Sequence, residues 1–202
     1  EERIIPQGYY DIVDGRSGDF LIATWGLCPC IGLIIYDSES KIGLLGHVDD
    51  GNARNPKSYE NIFSDLEELG VKLNNVEVTL IGSEDKNAYG TAGVIEEQIA
   101  SYFKNKKIPI ESLHLIKDLR ESARAVKFDA RTGKYTELLD GELAEVDVFK
   151  IGEDYKPEER LPLQRLSLAL LSPLEEAEDL ERPGGIDFRS LPIVTQAVAN
   201  LS

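Results

Sequence analysis

The sequence has little of what would place it in several large protein classes. No apolar run approaches the ~18 residues that a membrane-spanning helix needs, so no transmembrane segment is predicted. There are only two cysteines, Cys28 and Cys30, separated by one residue. They cannot build a disulfide framework, and a bridge between them would be strained. Reduced thiols, and with them a cytoplasmic location, are the expectation. The opening Glu1-Glu2-Arg3-Ile4-Ile5-Pro6 lacks a signal-peptide pattern. Methionine is missing altogether, position 1 included, which suits a processed product or a domain cut from a longer chain. Basic residues are scarce: 22 Lys and Arg stand against 37 Asp and Glu, a net charge of −15. So acidic a surface repels phosphate backbones and disfavours nucleic acid as a partner. No Gly-Lys-Ser/Thr accompanies Gly82 or Gly90, so there is no phosphate loop. No internal repeat is apparent.

What is present is a core. Apolar residues make up 42% of 202 residues, enough for one domain with an appendage. After a lead-in segment, Tyr9 to Val13 reads as a short strand and Asp14 to Gly18 as a turn. Phe20 to Ala23 reads as a buried strand. Cys30 to Tyr36 and Lys41 to His47 read as a strand–turn–strand unit about Asp37-Ser38-Glu39-Ser40. Val48 to Asn52 reads as a polar, solvated loop. Asn55 is an N-cap and Pro56 a first helical residue; Tyr59, Ile62, Phe63, Leu66 and Leu69 follow at helical spacing, and Gly70 stops the helix. Val76 to Ile81 alternates as a strand. Thr91 caps a second helix with Val94, Ile95, Ile99, Tyr102 and Phe103 on one face. Leu113 to Ile116, Ala125 to Asp129, Tyr135 to Leu139 and Val146 to Phe149 are further strands. With about eight strands and two helices in irregular order, the expected fold class is α+β: a layered β-sheet or sandwich with two main helices packed outside. The expected division is a domain over 1–152 and an acidic, Pro-containing extension or linker over 153–202. Within that extension, Leu161 to Leu171 reads as a short amphipathic helix.

The chemistry-bearing residues cluster in Thr24-Trp25-Gly26-Leu27-Cys28-Pro29-Cys30 and at His47. A thiol and an imidazole are the side chains that combine nucleophilicity with proton transfer near neutral pH. Cys30 stands where a Gly/Pro loop enters a strand, His47 ends the next strand, and Thr24 ends the preceding one. If the turn centres near residues 38–39, Cys30 and His47 meet at the same end of the hairpin. Nucleophile, base and base-orienting hydroxyl are the groups thiol acyl transfer requires. Two blander readings compete: Cys30 as an inert core thiol, and a metal site of Cys28, Cys30, His47 and Asp49 or Asp50. The one-residue cysteine spacing is shorter than that of structural zinc, and the other histidine, His114, is isolated and reads as a core or edge residue.

These residues resemble the chemoreceptor glutamine deamidases, the CheD family. Members carry Thr-x-Gly-Leu-Gly-Ser-Cys, a hydrophobic strand ending in Tyr-Asp, then a Gly-rich strand ending in Ala-His. Here Thr24 to Cys30, Tyr36-Asp37 and Gly46-His47 occupy the same register without gaps. Weaker likenesses continue through Tyr59 to Gly70, Val78 to Gly82, Ile108-Pro109-Ile110, Arg124 to Asp129 and Thr132-Gly133-Lys134, so the resemblance spans roughly 5–140. It departs at Cys28-Pro29, which replaces Gly-Ser, and at Val48-Asp49-Asp50, more acidic than the family's apolar pattern. Pro29 offers no N–H to an oxyanion; that of Cys30 remains. The resemblance implies a cofactor-independent, metal-free protein-glutamine glutaminase with Cys30, His47 and Thr24 as catalytic residues, acting also on glutamate methyl esters. Its implied substrates are chemoreceptor-like helices in chemotaxis, its implied partner a CheC-like adaptor phosphatase. Two alternatives stand beside it: a CheD-like binding module that has lost activity, and a related amidase acting on another group such as an N-terminal asparagine.

Overall fold

The computed structural model describes residues 2–27, 29–82, 92–114, 124–139 and 161–167. Among these are ten strands and three helices. The strands are β1 (Glu2–Ile4), β2 (Tyr9–Asp14), β3 (Leu21–Thr24), β4 (Ile31–Asp37), β5 (Ile42–Val48), β6 (Glu77–Gly82), β7 (Ser112–His114), β8 (Arg124–Asp129), β9 (Lys134–Leu139) and β10 (Gln164–Arg165). The helices are α1 (Asp50–Ala53), α2 (Pro56–Glu68) and α3 (Ala92–Asn105). The fold is α+β, with two sheets: a four-stranded one in the order β1-β3-β8-β9 and a six-stranded one in the order β10-β2-β5-β4-β6-β7.

The apolar density of β4 follows from its place. It pairs antiparallel with β5 on one side and β6 on the other, and every residue from Ile31 to Asp37 is buried. A strand covered on both faces has no solvent side to mark with polar residues. Ile31, Leu33 and Ile35 join Leu44, Val78 and Leu80 in the core beneath the helices. Ile34, Tyr36, Leu45 and Ile81 point the other way, into a second core with Ile22, Val126 and Phe128 of the smaller sheet. The six-stranded sheet is thus the middle layer. At Gly43, an added Cβ would overlap the Phe128 ring, so glycine there lets the two sheets approach.

The helix α2 begins as its sequence dictates. The Asn55 side chain accepts from Lys57 N, Pro56 takes the first turn, and Tyr59, Ile62, Phe63 and Leu66 are buried. Leu69, at the same spacing, instead lies past the last turn and is 45% exposed. In α3, Ile95, Ile99 and Phe103 are buried, and Tyr102 stacks on Tyr59 with centroids 4.3 Å apart.

Three expectations are corrected. The stretch expected to be a solvated loop, Val48 to Asn52, contains the start of α1: Asp49 is its N-cap, and Asp49 and Asn52 are 8% and 3% exposed. Their side chains cap each other's backbone, which makes buried polar residues tolerable. The lead-in contributes a strand, β1, parallel to β3. Residues 161–167 of the expected amphipathic helix are mostly extended: β10 runs parallel to β2, and only residues 166–167 are helical. Leu163 and Leu166 are buried there, Leu163 N donates to Ser58 Oγ at 2.9 Å, and Asn61 Nδ2 donates to Leu163 O at 3.1 Å. Arg165 reaches toward Asp11 and Asp65, each at 3.7 Å. The Thr91 cap, the 146–149 strand and the rest of the extension lie outside the described residues.

Candidate active site

The six-stranded sheet and the smaller sheet face each other, and the candidate residues lie at one end of that contact. Thr24 is the last residue of β3 in the smaller sheet; His47 is the penultimate residue of β5 in the larger. Their alternation aims both inward. Thr24 Oγ1 and His47 Nδ1 lie 2.8 Å apart, and both residues are buried. The same hydroxyl donates to the backbone carbonyl of Ile5 at 2.7 Å.

These two distances assign the histidine tautomer. A hydroxyl has one proton, and a carbonyl oxygen can only accept. The Thr24 proton therefore goes to Ile5 O, and the bond to the imidazole needs Nδ1–H as donor. That leaves the lone pair on Nε2. Burial supports this neutral form: desolvation pulls the His47 pKa from 6.5 down to about 4. Nε2 is itself buried and, among the described residues, has no hydrogen-bond partner.

Cys30 immediately precedes β4. It is 6% exposed and is not in a disulfide. The β4–β5 register pairs Gly32 with His47 and Ile31 with Val48. The ladder ends at that second pair, and Cys30 lies one residue before it, at the same end of the hairpin as His47. Thr24 and His47 are thus hydrogen-bonded, while no hydrogen bond joins Cys30 to Nε2. Gly82, at φ +95°, lets the cysteine turn approach β6: an added Cβ would stand 2.7 Å from Leu27 Cβ and 3.1 Å from Cys30 O.

The acidic residues after His47 are engaged. Asp49 accepts from Asn52 N at 2.8 Å and from Gln7 Nε2 at 3.0 Å. Asp50 pairs with Arg54 at 2.7 Å. Among the described residues no group of three or more His, Cys, Asp or Glu side chains is placed to hold a metal ion. His114 lies on β7, at one edge of the six-stranded sheet among the described residues; Cys28 lies outside the described residues.

Sequence reasoning missed the backbone of Ile5 and the side chain of Gln7. A backbone acceptor leaves no side-chain signature, and Gln7 reaches a partner 42 residues away. The Asp49–Asn52 cap did carry a signal, since Asp and Asn are the residues preferred at helix N-termini. No protein-family model matches this chain, and no curated protein matches it.

Proposed function

We propose that the chain is a cysteine amidohydrolase that converts glutamine side chains of proteins to glutamate, as the CheD-like chemoreceptor deamidases do. The observation that carries this reading is the buried Thr24–His47 hydrogen bond, with the basic nitrogen left on the far side of the ring, at the end of a hairpin that opens with Cys30. Orienting hydroxyl and base are groups a thiol nucleophile requires, and their register is the one the family pattern demands.

In this mechanism the resting pair is neutral thiol and neutral imidazole, because burial opposes the imidazolium. His47 Nε2 takes the Cys30 proton as sulfur attacks the carboxamide carbon, acting as general base at the moment of attack. Such proton transfer contributes about 10²–10⁴ in rate. The protonated imidazole then gives its proton to the leaving ammonia, and a thioester remains on Cys30. Water, deprotonated by the same nitrogen, hydrolyses the thioester to glutamate and regenerates the thiol. A glutamate methyl ester would follow the same course with methanol leaving. No cofactor takes part. Pro29 has no N–H and cannot stabilise the oxyanion. Chemoreceptor-like helices are the proposed substrates, and a CheC-like adaptor phosphatase the proposed partner.

A second reading is a binding module that has kept this architecture without turnover. The lack, among the described residues, of a hydrogen bond on His47 Nε2 favours it. One experiment separates the two. Glutamine-bearing helical receptor fragments are incubated with the protein, and ammonia and substrate mass are followed. Ammonia release with conversion of amide to acid, abolished in Cys30→Ala, supports the hydrolase; stoichiometric binding without ammonia supports the module.

A further inference from the structure

The short stretch between β1 and β2 holds the histidine from three directions. The Ile5 carbonyl takes the Thr24 hydroxyl proton at 2.7 Å. Gly8 N donates to the backbone oxygen of His47 at 3.0 Å. Gln7 Nε2 donates to Asp49 Oδ2, two residues beyond the histidine, at 3.0 Å. The stretch is itself fixed. Ile5 is fully buried between the sheets, its N–H donates to Ala23 O at 2.7 Å, and Pro6 is buried beside it. Two residues before Ile5, Arg3 pairs with the buried Asp11 at 2.7 Å.

We propose that Ile5 is a positioning residue: its carbonyl, presented by the docked β1 strand, selects the Nδ1–H tautomer of His47 and thereby makes Nε2 the basic nitrogen. Without that acceptor, the Thr24 hydroxyl is free to turn its proton toward Nδ1. The ring proton would then reside on Nε2, where the imidazole could donate but not accept. The selector follows directly on β1, a strand of three residues that lies at the edge of its sheet and pairs with β3 among the described residues. Displacing Ile5 would therefore remove the acceptor that keeps the Thr24 proton off His47 Nδ1. The consequence for turnover rests on the proposed role of His47; the choice of tautomer does not.

The test needs the whole chain with one peptide bond changed. Cys28 offers a ligation junction between a synthetic segment 1–27 and the remainder, which carries both histidines. Three ligated proteins are compared, with the Ile5–Pro6 bond as the native amide, as a thioamide, or as an alkene isostere. The thioamide keeps the planar shape and weakens the acceptor; the alkene removes it. Histidine is labelled with nitrogen-15, and His114→Gln identifies the His47 signals. The native amide is expected to show Nδ1–H near neutral pH. The alkene should shift the tautomer ratio toward Nε2–H by about tenfold or more, the scale of one hydrogen bond, with the thioamide between. Nε2–H in the native protein overturns the proposal. So does an unchanged ratio in the thioamide, which remains decisive if the alkene chain fails to fold. A shifted ratio in a protein that releases no ammonia supports the role of Ile5 while removing the deamidase reading, so the two fail separately.

Discussion

Mild acid should destabilise this protein through His47 before it does so through the carboxylates. The imidazole is buried and its pKa is pulled down by desolvation from 6.5 to about 4. The unfolded chain therefore binds a proton at a pH where the native chain refuses it. Above pH 6.5 neither state is protonated and the group has no effect on stability. As pH falls from 6.5 toward 4, the unfolded state gains protonation free energy and the native state does not. With those two values, the loss is about 1.4 kcal/mol at pH ~5.5 and about 2.6 kcal/mol at pH ~4.5. Asp14, Asp19 and Asp129 are held below their ordinary value of 3.8 by arginine partners, so their contribution disappears only in stronger acid. The check is urea unfolding of the parent chain and His47→Gln at pH values of about 7.5, 5.5 and 4.5. All other titrating groups are common to both chains. The stability difference between them should move against the parent by about 2.6 kcal/mol across the range. A difference independent of pH, or a His47 that titrates near 6.5 by NMR, would refute the buried neutral base.

The remaining predictions concern packing around the site. Thr24→Val keeps the shape but leaves Ile5 O and His47 Nδ1 buried without their partner, and should cost about 1–3 kcal/mol in urea unfolding, whereas Thr24→Ser should restore most of it. Gly43→Ala forces a methyl group into the Phe128 ring and should lower stability by about 1–3 kcal/mol, with Phe128→Leu in the same chain recovering part of the loss. Leu163→Ala, at a fully buried position of the segment that docks on β2 and α2, should cost about 2–5 kcal/mol and speed hydrogen exchange at Gln164, whose N–H donates to Gly8 O.

What the sequence made legible was local. The unbroken apolar run of β4 and the Asn55-Pro56 helix start announce elements whose cause lies within a few residues. The Arg131 to Lys134 turn does the same for the β8–β9 hairpin. The pairing of Thr24 with His47 was also readable, because each closes a strand beside the cysteine turn. Other features depend on distant partners. Asp49 and Asn52 read as solvated polar residues, yet Asn52 Nδ2 reaches Leu161 O across 109 positions, and burial follows from that docking. The strands β1 and β10 are three and two residues long, and each exists because a neighbour offers an open edge. Register was left open by the sequence: a turn near residues 38–39 brings Cys30 and His47 to the same end of the hairpin, and the ladder that pairs Gly32 with His47 is fixed by contacts along the whole of β4 and β5.

The central claim is that Cys30 carries the acyl group. It is tested most directly by quenching the protein in acid during turnover of a glutamine-bearing helical substrate and locating any covalent adduct by mass spectrometry. The account predicts a hydroxylamine-sensitive thioester on Cys30, absent in Cys30→Ala and diminished in Thr24→Val. An adduct on Cys28, or deamidation that persists in Cys30→Ala, would contradict it.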